Sequence, residues 1–307
     1  MSMRERFSAV TNDLIDADPR VALVLADIGA GEFGAAAHRH PSRVVNVGIR
    51  EQLMVGVAAG LAREGLRPIV HSYAPFLIER AYEQIKLDLG HQDLGAVLVS
   101  VGGSFDASSE GRTHQAPEDV AVLGALPGWD IYVPGHPDEL ETLLRHAVSG
   151  KGRAYVRLSA SANRNAVAVC PGEFAVVRTG SRSAVTIVAV GPMLDPVLEA
   201  TPDIDATVLY ATTVRPFDRS TLRRQARSGD VIVVEPYLAG TSAHEVASAF
   251  EHQPHRQLSL GVPSAEHRHY GEASRHAEAH GLDAAGIGRS VRRFLDAAGG
   301  CFGLHVA

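Results

Sequence analysis

The residues with the clearest chemical potential lie where a short apolar strand meets a helix. The segment VVNVGIREQ (residues 44–52) breaks at a glycine and places Glu51 in the first turn of the helix. Residues 53–61 are small and apolar (LMVGVAAGL), so most faces of this helix should be buried. A carboxylate in the first turn of a buried helix needs a hydrogen-bond or charge partner, and we interpret Glu51 as the catalytic centre. Alternatively, Glu51 serves only the helix dipole.

Three further stretches combine a predicted strand end with polar residues that a core does not require. They are HSYAPF (residues 71–76), the loop GGSFDASSEGRTHQ (residues 102–115) and YVRLS (residues 155–159). In a doubly wound sheet the carboxyl ends of the strands share one edge. All three stretches can therefore converge on Glu51.

The elements that must position these residues alternate between short β-rich runs and helical patterns, which predicts parallel strands joined by crossover helices. In the first part of the chain, strands are predicted at residues 21–26, 44–47, 68–72, 96–101, 130–133 and 154–158. Helices are predicted at residues 50–63, 75–89, 116–126 and 137–148, after an amphipathic N-terminal helix. The predicted fold class is α/β, with a doubly wound parallel sheet.

A second, smaller α/β domain is predicted beyond a stretch rich in serine and alanine. We place the first domain at residues 1–165, a linker at 166–175 and the second domain at 176–307. The strands predicted in the second domain are residues 184–190, 206–210, 230–235 and 257–260. Its helices are expected near residues 219–226, 242–250 and 285–296.

Composition narrows the function classes. The 307 residues are 45% hydrophobic and carry a formal charge of -6 without any Lys/Arg cluster, which argues against nucleic acid as a partner. No apolar run approaches the ~20 residues that span a bilayer, and the N-terminus does not read as a signal peptide, so we expect a cytoplasmic protein. Cys170 and Cys301 match neither a disulfide framework nor a metal site, and we expect reduced structural thiols.

Several motifs together indicate a family. The segments VNVGIREQLMVGVAAGLA (residues 45–62), YAPFLIERAYEQI (73–85), GRTHQAPEDVAVLGALPG (111–128) and AYVRLS (154–159) resemble the pyrimidine-binding domain of transketolases. They resemble in particular the split kind of transketolase, whose halves are separate chains. Residues 185–295, which include VRPFD (214–218), resemble the small C-terminal domain of the family.

This resemblance implies thiamine diphosphate and a role for Glu51. Activating the cofactor means removing the proton on its thiazolium carbon, and the base is the imino form of its own aminopyrimidine. A carboxylate bonded to the far ring nitrogen makes that tautomer accessible through a charge-assisted hydrogen bond in a water-poor pocket. The resemblance assigns this role to Glu51.

The resemblance also implies aromatic and basic neighbours for the cofactor. Phe76 is expected to stack on the aminopyrimidine, with Tyr73 beside it and Arg80 one turn further on. A core aromatic is the alternative for Phe76, and an alignment slip of one residue would put Leu77 in its place.

Four residues are expected to bind substrate. His114 resembles the family histidine that faces the substrate and can bond its oxygens or relay a proton, although a lone histidine is often structural. Arg157 resembles an anion-binding arginine at a strand end, with a surface ion pair as the alternative. Glu110 and Arg112 stand where the family has Asp and Pro, and they complete the predicted set.

One family motif is missing from the sequence. Family members hold Mg²⁺ and the diphosphate through a Gly-Asp-Gly segment followed by Asn, and no Gly-Asp-Gly occurs here. We therefore expect no metal ligands in this chain. A separate N-terminal subunit should hold the diphosphate and Mg²⁺, in an α2β2 assembly with the active site at the interface.

Departures from the family pattern bear on the substrate. Transketolases that use sugar phosphates carry a basic residue where this chain has Gly102 and Gly103, and often an arginine where it has Ala160. Losing both removes strong charge-assisted contacts to phosphate. The predicted function is transfer of a two-carbon ketol unit, with at least one substrate that is not an ordinary sugar phosphate.

Two alternatives stay open beside this prediction. The first is the β subunit of a 2-oxoacid dehydrogenase-like enzyme, or a hybrid that passes a two-carbon unit to a carrier protein. The second is a non-catalytic interaction subunit.

In the second domain, the segment EPY (residues 235–237) departs from the family pattern, so a contribution of the second domain to the site is left open. A solvated surface is expected for the histidines at 252, 255, 267, 269, 276 and 280.

Overall fold

The computed structural model describes residues 1–299, in which two mostly parallel sheets are each flanked by helices. The first sheet has seven strands in the order β10-β5-β6-β4-β3-β1-β2. Its strands are β1 (Val21–Leu25), β2 (Val44–Asn46), β3 (Arg67–Tyr73), β4 (Val97–Val101), β5 (Trp129–Tyr132), β6 (Arg153–Arg157) and β10 (Thr213–Arg215). All of its pairings are parallel except that of β10 with β5. The predicted doubly wound α/β class is thus confirmed.

The second sheet has five strands in the order β12-β11-β8-β9-β7. They are β7 (Ala175–Arg178), β8 (Val185–Val190), β9 (Ala206–Ala211), β11 (Asp230–Leu238) and β12 (Arg256–Val262). Only the edge strand β7 is antiparallel within the described part of this sheet. Strand β7 begins inside the stretch predicted as a linker, and β10, from the second half of the chain, extends the first sheet.

Helices cover both sheets. They are α1 (Met3–Ala17), α2 (Gly34–Arg39), α3 (Glu51–Arg63), α4 (Tyr82–Gln84), α5 (Asp119–Gly124), α6 (Pro137–Ser149), α7 (Leu194–Ala200), α8 (Arg219–Gln225), α9 (Ala243–Ala249), α10 (Ala273–His280) and α11 (Ala284–Gly299). The helix predicted at 75–89 is interrupted, because two π-helical segments (Pro75–Arg80 and Ile85–His91) flank the short α4. Strands β7 and β10 and helices α2, α7 and α10 were not predicted, since short elements carry little periodicity.

Strands β1, β3, β4 and β6 are buried along nearly their whole length, as a sheet covered on both sides requires. Helix α1 and helix α6 cover one face, and α3 with the first π-helical segment covers the other. The latter apolar cluster continues without a break into the second domain, where it includes Val188, Val231 and Tyr237. The two domains therefore share part of their core. Among residues 1–299, no helix is long and apolar enough to cross a membrane.

Two expectations about single residues are wrong. Cys170 is exposed and not a structural thiol, while Cys301 lies outside the described residues. The histidines expected on a solvated surface include His276, which is only 4% exposed, and the half-buried His280. Both lie on α10 and pack against Phe105 of the first domain, a contact between domains that sequence periodicity does not reveal.

Candidate functional site

The turn that carries Glu51 is shaped by a glycine and an asparagine. Gly48 adopts φ +71°, in the left-handed region that glycine occupies without strain. The Asn46 side chain accepts hydrogen bonds from the backbone N–H groups of Asp27 (3.0 Å) and Gly48 (3.1 Å). These bonds join the carboxyl ends of β1 and β2, and α3 then begins at Glu51.

Glu51 is almost completely buried, with a side-chain exposure of 1%. Its Oε2 accepts a hydrogen bond from Arg80 Nη1 at 2.7 Å, whereas its Oε1 is buried without a hydrogen-bond partner among residues 1–299. A buried carboxylate oxygen that lacks a donor is costly to the fold. The open oxygen therefore fits a donor supplied by a bound group, as the aminopyrimidine ring of thiamine diphosphate would supply.

Arg80 joins the carboxylate to an aromatic ring. The first π-helical segment places Arg80 and Phe76 on one face, with the guanidinium carbon 4.3 Å from the ring centroid. Phe76 is partly exposed, while Leu77, the alternative from a shifted alignment, is fully buried in the core. Phe76 and not Leu77 is thus available to a ligand.

Tyr73, Phe76 and His114 form an aromatic cluster beside this pair. The His114 ring centroid lies 5.0 Å from that of Phe76 and 5.4 Å from that of Tyr73, both in edge-to-face geometry. Tyr73 and Phe76 are 6.1 Å apart. His114 Nδ1 also contacts Thr113 Oγ1 at 2.9 Å. All five residues predicted for catalysis and cofactor binding lie in one contiguous cluster at the carboxyl edge of the sheet.

Arg157 departs from its predicted role in substrate binding. Its side chain is 1% exposed, with Nε donating to Asp119 Oδ2 and Nη2 to Ser104 Oγ, both at 2.7 Å. The Tyr237 ring of the second domain covers the guanidinium at 5.6 Å. An arginine enclosed in this way has no surface left for a substrate anion, so we correct its role to a structural one.

The two remaining predicted residues lie further along the same loop. Arg112 donates to the Gln115 carbonyl and to Glu118 Oε1, each at 2.9 Å, so its guanidinium stabilises the loop itself. Glu110 is exposed. Both stay predictions for substrate binding.

A cavity of about 200 Å³ opens beside Tyr73. Gly102, Ala160 and Asp106 line it, together with the start of α1. Burial raises the pKa of Asp106 to about 6, and its Oδ2 accepts the Ala160 N–H at 2.9 Å. A carboxyl group thus lies in the cavity close to the two positions where the family resemblance implies phosphate-binding cations.

Several polar residues of this region were not assigned a role from the sequence. Asp119, at the first position of α5, also accepts a hydrogen bond from the Tyr155 hydroxyl at 2.7 Å. Burial raises the pKa of Glu79 to about 7, and the neighbouring Glu118 carboxylate acts in the same direction. Burial lowers the pKa of His71 to about 4, and His71 packs on Phe7 behind the site. The available signal for Asp119 was its place after Pro117 at a helix start.

The fold and the cluster define the class of protein. It is a two-domain α/β chain in which a buried carboxylate, an arginine and three rings meet at the carboxyl edge of a parallel sheet. Residues 1–165 match the family model "Transketolase, pyrimidine binding domain", and residues 172–287 match "Transketolase, C-terminal domain". The chain belongs to the thiamine-diphosphate-dependent transketolase family.

Relatives of two kinds support this membership. A protein of Rhodococcoides fascians, named "Uncharacterized 33.6 kDa protein in fasciation locus", is 50% identical over 293 residues, which cover 94% of this chain and 93% of that protein. The 1-deoxy-D-xylulose-5-phosphate synthase of Stutzerimonas stutzeri (strain A1501) is 34% identical over 298 residues. That match covers 94% of this chain but 46% of the synthase, so the chain spans about half the length of such relatives.

Solved structures show the same architecture. The structure named "Split gene transketolase, inactive beta4 tetramer" superposes with a TM-score of 0.82 at 28% identity, covering 96% of this chain and 98% of that one. A transketolase from Campylobacter jejuni superposes with a TM-score of 0.80 at 16% identity, over 95% of this chain and 46% of that one. The second likeness concerns the fold alone.

The structural role of Arg157 leads to a prediction about stability. Arg157→Ala should lower the free energy of unfolding by about 3–5 kcal/mol, because it leaves the Asp119 carboxylate buried without its cation. Denaturant unfolding of the purified chain would measure this. Arg20→Ala, which removes an exposed partner of Asp18, is the matched control and should leave the midpoint unchanged. If Arg157→Ala is as stable as the native chain, the structural role is incorrect.

Proposed function

We propose that this chain is the pyrimidine-binding subunit of a thiamine-diphosphate-dependent transketolase-like transferase that moves a two-carbon ketol unit. The observation that carries the proposal is the Glu51 carboxylate, which Arg80 holds by one oxygen while the other lacks a donor. When bound, the cofactor supplies the nucleophilic carbon that breaks and forms bonds next to a carbonyl group.

Each residue of the cluster has a separate task in this proposal. Glu51 Oε1 accepts a hydrogen bond from the cofactor ring nitrogen, and Arg80 fixes the orientation of the carboxylate. Phe76 offers a flat apolar face to the cofactor ring, with Tyr73 beside it. His114 binds substrate oxygens and moves a proton to or from them.

The proposal requires a partner that holds the diphosphate and Mg²⁺. The chain spans 46% of the matched synthase and contains no Gly-Asp-Gly segment. Ile49 and Leu53, on either side of Glu51 in sequence, are 70% and 47% exposed. Large apolar side chains exposed beside a site are typical of an interface. We propose that an N-terminal transketolase subunit covers them in an α2β2 assembly.

The cavity beside Tyr73 supports a substrate other than an ordinary sugar phosphate. Gly102 and Ala160 offer no cation to it, and Asp106 contributes a carboxyl group that would repel a phosphate when ionised. Arg4 also lines the cavity, but its Nε donates to Glu32 at 2.6 Å. We propose that this subsite accepts a neutral, hydroxyl-bearing part of the substrate.

Replacing the central carboxylate tests the mechanism. Glu51→Gln should lower kcat of the assembled complex by roughly 100-fold or more, because a neutral amide cannot support the charge-assisted hydrogen bond. Steady-state turnover with the partner present would measure the loss. Glu64→Gln, at the exposed far end of α3, is the matched control and should retain full activity. Unchanged turnover in Glu51→Gln would favour a non-catalytic interaction subunit.

Cofactor binding should require both chains. Copurification of this chain with the product of the neighbouring gene would supply the partner, and calorimetric titration would compare each chain with the mixture. We expect thiamine diphosphate to bind only to the mixture, and chelation of Mg²⁺ to abolish binding, because the diphosphate is held through the metal. Equally tight binding by this chain alone would contradict the divided site.

Substrate preference can be tested at the cavity. The assembled complex should show a higher kcat/KM for unphosphorylated ketoses than for their phosphates. Ala160→Arg should shift the ratio towards phosphates by roughly tenfold or more, the effect of one hydrogen bond to a charged group. Ala160→Gln, which adds length without charge, is the control. A clear preference of the native complex for phosphates would disprove the substrate assignment.

A further inference from the structure

The loop that carries His114 lies against the second domain along much of its length. We call residues 102–117, between β4 and α5, the His114 loop. Near one end, Ser104 Oγ donates to the Pro236 carbonyl, and at the other end the Leu238 N–H donates to the Pro117 carbonyl at 2.7 Å. Pro236 and Leu238 both belong to β11. One strand of the second sheet therefore anchors both ends of the loop.

Histidines of α10 hold the loop at a third point. The Phe105 ring stacks on His276, with centroids 5.8 Å apart and an interplanar angle of 12°, and lies 5.4 Å from His280. His267 packs edge-on against His280 at 4.9 Å. Because His276 is 4% exposed, this contact is enclosed and not a loose surface approach.

Tyr270 contacts the loop at a fourth point, at Gly111, which is close to His114 in sequence. A Cβ atom on Gly111 would lie 2.3 Å from Tyr270 Cε1, so the tyrosine ring packs directly on the glycine backbone. Gly111 has φ +69°, which favours glycine independently. Arg112 Nε also lies 3.8 Å from Glu266 Oε1. Tyr270 is nevertheless 71% exposed, and its removal should not disturb the core.

The His114 loop needs such contacts because its own sequence does not order it. Glycine and serine occupy six of the ten positions from 102 to 111, and fixing such a backbone carries a large entropic cost. A side chain that acts on a substrate must be held within a fraction of an ångström. The contacts from the second domain supply this order.

We propose that residues 266–280 of the second domain form a clasp that positions His114, with Phe105 and Tyr270 as positioning residues. The role of His114 rests on the proposed function, whereas the clasp itself does not. The clasp gives the second domain a part in the site without contact to the reacting atoms. Its contacts are local, so single substitutions can loosen it.

The clasp should open in acid. Burial lowers the pKa of His280 from 6.5 to about 4, with the positive charges of His267, His276 and His269 acting in the same direction. Burial also lowers the pKa of His276. In the His114 loop, the ionisable residue next to Phe105 in sequence is Asp106, whose carboxylate accepts a hydrogen bond from the Ala160 N–H. The closed clasp favours neutral histidine. The free energy that stabilises the closed clasp is therefore fully present above pH 6.5 and is lost as the pH falls towards 4.

Hydrogen–deuterium exchange of the isolated full chain tests the clasp without partner or cofactor. Tyr270→Ala should speed exchange in the His114 loop by roughly two- to tenfold, the shift that loss of one aromatic contact produces. Exchange in the sheet strands should not change. His252→Ala is the matched control, since His252 is an exposed histidine whose side chain pairs with Glu251.

A second variant separates the ring contact from its charge. His280→Phe keeps an aromatic ring but cannot gain a proton. After correction for intrinsic rates, the native loop should exchange faster at about pH 5 than at about pH 8, and His280→Phe should reduce that difference. If Tyr270→Ala and His280→Phe both exchange like the native chain at both pH values, the clasp is disproved.

Turnover of the assembled complex then decides what the clasp does. Tyr270→Ala should lower kcat/KM in step with the faster loop exchange. A loosened loop with unchanged kcat/KM would overturn the positioning of His114. If the native complex shows no thiamine-dependent turnover at all while the variants still loosen the loop, the proposed function fails and the clasp stands.

Discussion

The Glu51 carboxylate is buried at the start of a helix, and Arg80 donates a hydrogen bond to one of its two oxygens. Leaving the second oxygen without a donor costs free energy, so the surrounding structure must impose it. The Gly48 turn aims Glu51 inward, and the apolar face of α3 keeps water away. The π-helical segment then presents Arg80 and Phe76 together, in keeping with the frequent occurrence of such segments at functional sites.

Two arginine–carboxylate pairs show how burial separates a pair that is available to a ligand from a pair that only stabilises the fold. In the Arg157–Asp119 pair both side chains are buried, and Asp119 Oδ2 also accepts a hydrogen bond from Tyr155. In the Arg80–Glu51 pair the arginine is 41% exposed and the carboxylate keeps an open oxygen. The first pair is closed to ligands and the second is half open. An arginine at a strand end can thus serve stability alone.

The placement of Glu51 and His114 at the carboxyl edge of the sheet was predictable from sequence because its determinants are local, whereas their proposed roles come from the family resemblance. The strand–glycine–helix pattern around Glu51 and the position of His114 after a strand both depend on neighbouring residues. The role of Arg157 was not predictable, since its partner Asp119 is 38 residues away and its burial depends on Tyr237 of the other domain. The packing of His276 on Phe105 likewise joins residues distant in sequence. Strand β10, with three residues, is too short to show periodicity.

The shared core explains how the second domain can support the loop that carries His114. One apolar cluster includes Val24 and Val70 of the first sheet and Val188 and Val233 of the second, so the domains are held by burial as well as by polar contacts. Strand β11 can then anchor the His114 loop at both ends, because its position relative to β4 is fixed by that core. A glycine-rich loop has high conformational freedom. Its order must come from a rigid neighbour, and the second sheet provides that neighbour.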